Sequence, residues 1–293
     1  MSVGKRITRI LVIGAGTMGT QIGAVFALGG FDVVVTDVTA VALKRAGHEA
    51  GARIRRLAET DRLSVEDAEA AIARMSWTTD VPLAAAEADL IVEAATERLD
   101  LKRAIFAQLA EVAPARAIFS TNSSTIPSSA VAEASGRPDR LCNLHFFNPA
   151  LVMRCVEIVP NPRTSEETIS AVLAVVARLG KEPVRLSAET PGFIANRLML
   201  AVQDEAISLY ENGIAGIEDI DTAARLALGH PMGPFALMDL VGLDVIELIH
   251  RAQYDISGDT SDLPASSIVD RVAAGDLGRK SGRGWFSYDR RPA

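Results

Sequence analysis

The chain has 293 residues, 48% of them hydrophobic and 23% charged, with a formal net charge of −7. That length exceeds one compact core and implies two domains, and the acidic balance excludes nucleic acid as a bulk electrostatic partner. Two cysteines, Cys142 and Cys155, come with no CxxC and no Cys/His cluster of ligand spacing, so no metal is expected. They read as two buried reduced thiols, although spacing alone leaves a disulfide between them open.

The basic pair Lys5-Arg6 precedes the apolar run ILVI at residues 10–13. That run is too short for the core of a signal peptide. Nowhere do about 18 apolar residues follow one another, so no membrane span and a cytoplasmic location are expected. ILVI is instead the pattern of a strand buried on both faces. GAGTMG follows at residues 14–19, residues 20–28 read as a helix, and a second apolar run at 33–36 ends at Asp37. Strand, glycine turn, helix and strand with a terminal carboxylate make a Rossmann unit.

Each part of the unit has a physical task. Gly14 permits the tight turn, Gly16 lets the backbone approach a pyrophosphate, and Gly19 lets the helix pack on the sheet. Thr17 and Met18 stand at the helix N-terminus, whose free N–H groups and positive dipole end suit phosphates. Asp37 would accept bonds from the adenosine ribose. A carboxylate there repels a 2′-phosphate, and no arginine follows, so the cofactor is NAD rather than NADP. Flavin folds share the fingerprint, but no second flavin-associated segment follows it.

Residues 40–73 are too long for one crossover helix and break near Thr60-Asp61, predicting two helices as an insertion. Arg53, Arg55, Arg56 and Arg62 make it basic: a solvated face, or a surface for the phosphates of a nucleotide-bearing substrate. Strands are predicted at 75–78, 89–93 and 117–120, and a helix at 101–112. Loops at the carboxyl ends of such strands face the ligand, which puts residues 93–102 and 121–125 near the nicotinamide half of the cofactor.

A strand at 141–147 runs into HFFNP, and another spans 152–159 with Glu157 inside it. A carboxylate in an apolar run needs a partner, and His145 is the obvious one. A carboxylate on one ring nitrogen fixes the tautomer and favours the imidazolium formed when the other takes a proton. An alcohol dehydrogenase without metal needs that arrangement, although on residues alone a structural His–Glu pair remains the alternative.

GAGTMG, EAATERLDLK, STNSST, HFFNP followed by VEIV, TPGFIANR, GHPMGPF and GRKSGRGWFSY together span nearly the whole chain. In this order the sequence resembles the L-3-hydroxyacyl-CoA dehydrogenase family, including its short-chain 3-hydroxybutyryl-CoA members. The resemblance implies His145 as catalytic base, Glu157 as its orienting carboxylate, Ser124 on the reacting oxygen and Asn196 completing the site. It places Glu97, Lys102, Ser124, Asn148 and Lys280 beside NAD, and Ser124, Asn148 and Asn196 on the acyl-CoA substrate. Leu151 and Arg154 depart from the family's usual proline and lysine. Arg53 and Thr60 stand where the family has a serine and a lysine that meet CoA, which puts recognition of the substrate tail in doubt.

The fold class is therefore α/β, a Rossmann-type doubly wound sheet followed by a smaller all-α domain, with a boundary near residue 188. A helix at 163–180 and a short strand at 183–186 close the first domain. Beyond the break at TPG, helices are predicted at 194–211, 217–228, 234–253 and 266–274, with Gly213, Gly229 and Gly233 as stops. Apolar residues around Ile207, Leu226, Leu237, Leu240 and Ile246 exceed what one small bundle needs and point to a homodimer through this domain, as the family resemblance also implies. Two rivals stay open. One is a same-scaffold dehydrogenase of a free hydroxy acid such as a sugar acid or carnitine, and the other a protein that binds NAD without turnover. No GxxGxxxKxxxN helix follows Pro191, which disfavours a lysine-dependent hydroxyacid dehydrogenase.

Overall fold

The computed structural model describes residues 7–288; the basic pair Lys5-Arg6 lies outside them. The chain divides into two compact units after Ile194. The first unit contains β1 (Arg9–Ile13), α1 (Thr17–Leu28), β2 (Asp32–Thr36), α2 (Ala40–Glu59), α3 (Val65–Ala73), β3 (Met75–Thr78), α4 (Val81–Ala85), β4 (Leu90–Glu93) and α5 (Leu99–Val112). It continues with β5 (Ile118–Thr121), α6 (Ser129–Ala132), β6 (Leu141–Phe146), β7 (Cys155–Pro160), α7 (Glu166–Arg178) and β8 (Glu182–Arg185).

The strands form one sheet in the order β3-β2-β1-β4-β5-β6-β7-β8. All pairings are parallel except β6 with β7. Because side chains alternate along a strand, the short apolar runs fill two cores. Ile10, Val12, Val33, Val35, Leu90 and Val92 pack on one face with α1, α2 and α7. Leu11, Ile13, Ile91 and Phe119 pack on the other with Phe106 and Leu109 of α5. In the two-helix insertion each helix is capped at its own start, α2 by Thr39, whose hydroxyl accepts from Ala42 N, and α3 by Ser64, whose hydroxyl accepts from Asp67 N. Each side chain satisfies one of the free N–H groups of a helix start.

The second unit holds α8 (Ala195–Glu211), α9 (Ile217–Ala227), α10 (Pro234–Val241), α11 (Leu243–Ser257) and α12 (Ser266–Ala273). Its core gathers Ile207, Phe235, Met238, Leu243, Ile246 and Trp285. Two buried carboxylates staple it. Asp221 accepts from Phe235 N at 2.8 Å and Ala236 N at 3.0 Å, capping α10 from outside the helix. Asp239 accepts from Trp285 N, Phe286 N and the Tyr288 hydroxyl, each at 2.9 Å, and so fastens the segment after α12.

Three expectations are corrected. The single helix expected over 234–253 is two, because Gly242 adopts φ +107°, a conformation that ends a helix and that L side chains rarely adopt. Ile207 and Ile246 are core residues of this unit rather than surplus apolar surface, whereas Leu226 and Leu228 are exposed. Cys142 is buried but Cys155 only half-buried, and both are free thiols; burial pushes the Cys142 thiol up to about 12. Among the described residues no helix is long and apolar enough to cross a membrane, and no group of three or more His, Cys, Asp or Glu side chains could hold a metal.

Candidate active site

The glycine turn lies between β1 and α1. Gly14 has φ +103° and donates its N–H to Thr36 O at 2.8 Å, tying the turn to the end of β2. A β-carbon on Gly19 would lie 1.9 Å from Gly14 O, so glycine alone allows this approach. At Gly16 a β-carbon would meet nothing within 4 Å, so the backbone there faces open space. Thr17 is exposed and Met18 half-buried, and no side chain caps the start of α1. Asp37 accepts from Ala15 N at 2.9 Å and Thr39 N at 3.3 Å. An open backbone cradle at an uncapped helix N-terminus, with a carboxylate at its rim, fits the diphosphate and ribose of a dinucleotide.

The other site residues of this unit come from the carboxyl ends of β4, β5, β6 and from β7. Cross-strand register pairs Glu93 with Thr121, Thr121 with Asn143, and His145 with Glu157. Alternation puts these polar side chains on one face of the sheet. His145 Nδ1 lies 2.8 Å from Glu157 Oε2, with both side chains buried. The imidazole is flanked edge-on by Phe147, with centroids 4.5 Å apart, and by Phe193 at 5.5 Å. Glu157 Oε1 accepts from Ile194 N at 3.0 Å. Phe193 has φ +53°, a sparsely populated conformation for a residue with a side chain. The turn at TPGF thereby supplies both an aromatic wall and a backbone donor to the pair.

Ser124 is half-buried in the loop after β5, and its neighbours are fixed on both sides. Asn122 Oδ1 accepts from Phe146 N at 2.8 Å. Asn143 Nδ2 donates to Ser123 O and Ile126 O, and Asn143 Oδ1 accepts from Ser128 N. Glu97 receives the Ser123 hydroxyl and, at 2.7 Å, the Thr125 hydroxyl. Burial works against ionisation of Glu97, but those hydroxyls and Lys102 together hold it below the usual carboxylate range. Lys102 is buried; its Nζ lies 2.8 Å from each oxygen of Glu93 and 3.2 Å from Glu97 Oε2. Asn148 is exposed, and its Oδ1 accepts from Gln21 Nε2 of α1 at 3.1 Å.

Asn196 and Lys280 belong to the second unit. Asn196 stands half-buried in the first turn of α8. Lys280 is exposed in the segment after α12, paired with Asp244 at 2.6 Å. Within the first unit the structure thus joins His145 to Glu157, Lys102 and Glu97 to the loop carrying Ser124, and Asp37 to the glycine turn. Sequence reasoning missed Asn143, Phe193 and the Ile194 amide, and named Glu93 only as the start of a ligand-facing loop. Glu93 could have been found as a carboxylate ending a fully apolar strand, by the argument that singled out Glu157.

The profile of the 3-hydroxyacyl-CoA dehydrogenase NAD binding domain matches residues 9–190, and that of the same enzymes' C-terminal domain matches residues 192–288. The chain belongs to the 3-hydroxyacyl-CoA dehydrogenase family. It is an NAD-binding dehydrogenase of that family, and the glycine turn and Asp37 fit that cofactor. Human mitochondrial hydroxyacyl-coenzyme A dehydrogenase is 38% identical over 288 residues, covering 96% of this chain and 91% of that one. The crystal structure of (S)-3-hydroxybutyryl-CoA dehydrogenase from Ralstonia eutropha superposes with a TM-score of 0.91 at 35% identity, over 97% of this chain and all of that one (100%). A diketoreductase described as acting on dicarbonyl compounds gives 0.84 at 32% identity, over 97% of this chain and 100% of its own.

Proposed function

We propose that this chain reversibly oxidises a short L-3-hydroxyacyl-CoA to the 3-oxoacyl-CoA, with His145 as general base and Glu157 orienting it. The observation that carries the reading is the buried His145–Glu157 contact at 2.8 Å on facing strands. NAD, when bound, accepts the hydride released from the carbinol carbon. Gly14, Gly16, Thr17, Met18, Gly19 and Asp37 hold its adenosine and diphosphate half. Glu97, Lys102, Ser124, Asn148 and Lys280 serve its other half. With Nδ1 donating to Glu157, Nε2 is left to take the hydroxyl proton, and the carboxylate stabilises the imidazolium that results. Phe147 and Phe193 exclude water from the pair, which strengthens that interaction. The Ser124 hydroxyl and the Asn196 amide hydrogen-bond the reacting oxygen and the thioester end of the substrate.

The exposed guanidinium groups of Arg53 and Arg56 on α2 are assigned to the phosphates of CoA; Arg55 is already engaged by Glu69. A homodimer through the second unit is supported by its exposed Leu226, Leu228 and Leu248. A cytoplasmic location completes the proposal.

Consumption of NADH with acetoacetyl-CoA tests the reading. Turnover is expected with the thioester and not with free acetoacetate. The similarity to the diketoreductase favours a second reading, a free dicarbonyl or hydroxy-acid substrate. Turnover of free dicarbonyls with none of any short 3-oxoacyl-CoA would establish it and refute the first.

A further inference from the structure

One buried group that the mechanism above does not use is Glu93, the last residue of β4. It is 0% exposed, yet every acceptor position it offers is engaged. Oε1 accepts from Ala95 N at 2.7 Å and Oε2 from the Thr121 hydroxyl at 2.7 Å. Lys102 Nζ donates to both oxygens at 2.8 Å. Lys102 then reaches Glu97 at 3.2 Å with its remaining donor capacity. One ammonium thus serves two carboxylates, and a unit of negative charge is left over.

The position of that surplus follows from burial and distance. Glu93 holds Lys102 closely inside the fold, where charges are costly unless paired. Glu97, with its side chain 41% exposed, is only loosely compensated and stands at the rim, bonded to the loop that carries Ser124. On the proposed cofactor arrangement this rim faces the nicotinamide. That ring is a cation when oxidised and neutral when reduced.

We propose that Glu93 is a positioning residue that sets the redox preference of the cofactor site. By holding Lys102 in the core it leaves Glu97 as surplus negative charge, which favours NAD over NADH. The inference rests on the assignment of Glu97 to the nicotinamide half of the cofactor.

The test is the ratio of the dissociation constants of NAD and NADH, measured by calorimetric titration without substrate. In Glu93→Gln the Lys102 charge is released to neutralise Glu97, and the NAD/NADH ratio is expected to rise about three- to tenfold, the scale of one partly screened charge. General loosening of the site weakens both forms together and cancels in the ratio. Glu93→Asp keeps the charge and is expected to keep the wild-type ratio. If Glu93→Gln loses its native circular dichroism, Glu97→Gln removes the same surplus charge and is expected to raise the ratio equally. Variants that bind both forms at the wild-type ratio overturn the inference alone. A wild-type chain that binds neither form overturns the cofactor assignment and this inference with it.

Discussion

In the first unit the buried carboxylates of Glu93 and Glu157 face titratable side chains, Lys102 and His145. In the second, Asp221 and Asp239 face mainly backbone N–H groups, at Phe235, Ala236, Trp285 and Phe286. An amide cannot change its protonation state, so a carboxylate held by amides works as a fastener. A carboxylate aimed at an imidazole or ammonium is coupled to a charge that can change or be shared. Equal burial therefore marks different tasks, and the partner tells them apart.

The largest effect expected from this contrast is on stability. Asp239→Ala orphans two backbone donors and the Tyr288 hydroxyl, and should lower unfolding free energy by about 4 kcal/mol, at 1–3 kcal/mol for each such group. A lowered urea midpoint would show this, and an unchanged one would contradict it. A loss of kcat with stability intact would break the contrast. Glu157→Gln should do the reverse, lowering kcat about 10²-fold with a nearly unchanged urea midpoint. That is about 2.7 kcal/mol on the barrier.

The smallest effect comes from a titratable pair within the second unit. His250 Nε2 lies 3.2 Å from Asp204 Oδ1, and that contact raises the histidine above its ordinary value despite burial. A raised histidine stabilises the fold fully below its unfolded pKa of about 6.5, and the contribution is lost as pH rises through the folded value. Asp204 is half-exposed, so the effect should stay under about 1 kcal/mol. The thermal midpoint of this unit should fall slightly from pH 6 to pH 8, and Asp204→Asn should flatten that slope. An unchanged slope would deny the pair its charge.

What the sequence showed of this arrangement depended on how each constraint is encoded. The glycine turn was legible because Gly14 and Gly19 mark backbone conformations and approaches that other residues cannot make. The His145–Glu157 pair was legible because each polar residue interrupts a short apolar run, and antiparallel β6 and β7 leave few registers. Lys102 as a core residue was not legible: the resemblance placed it beside NAD, and nothing in its helix, nine positions from Glu93, marked it as buried. The Ile194 amide on Glu157 could not be read at all, since a backbone N–H is the same in every residue but proline. Gly242 was passed over because an isolated glycine is tolerated in a helical pattern, and nothing in the sequence around it marks the φ of +107° that it adopts.

The central claim is that His145 takes the proton and does not itself hold the cofactor. Steady-state turnover of acetoacetyl-CoA by His145→Gln, with NADH affinity measured on the same preparation, tests it most directly. The account predicts kcat lower by about 10²–10⁴-fold with NADH affinity unchanged. A near-wild-type kcat in a variant that binds NADH normally would contradict it.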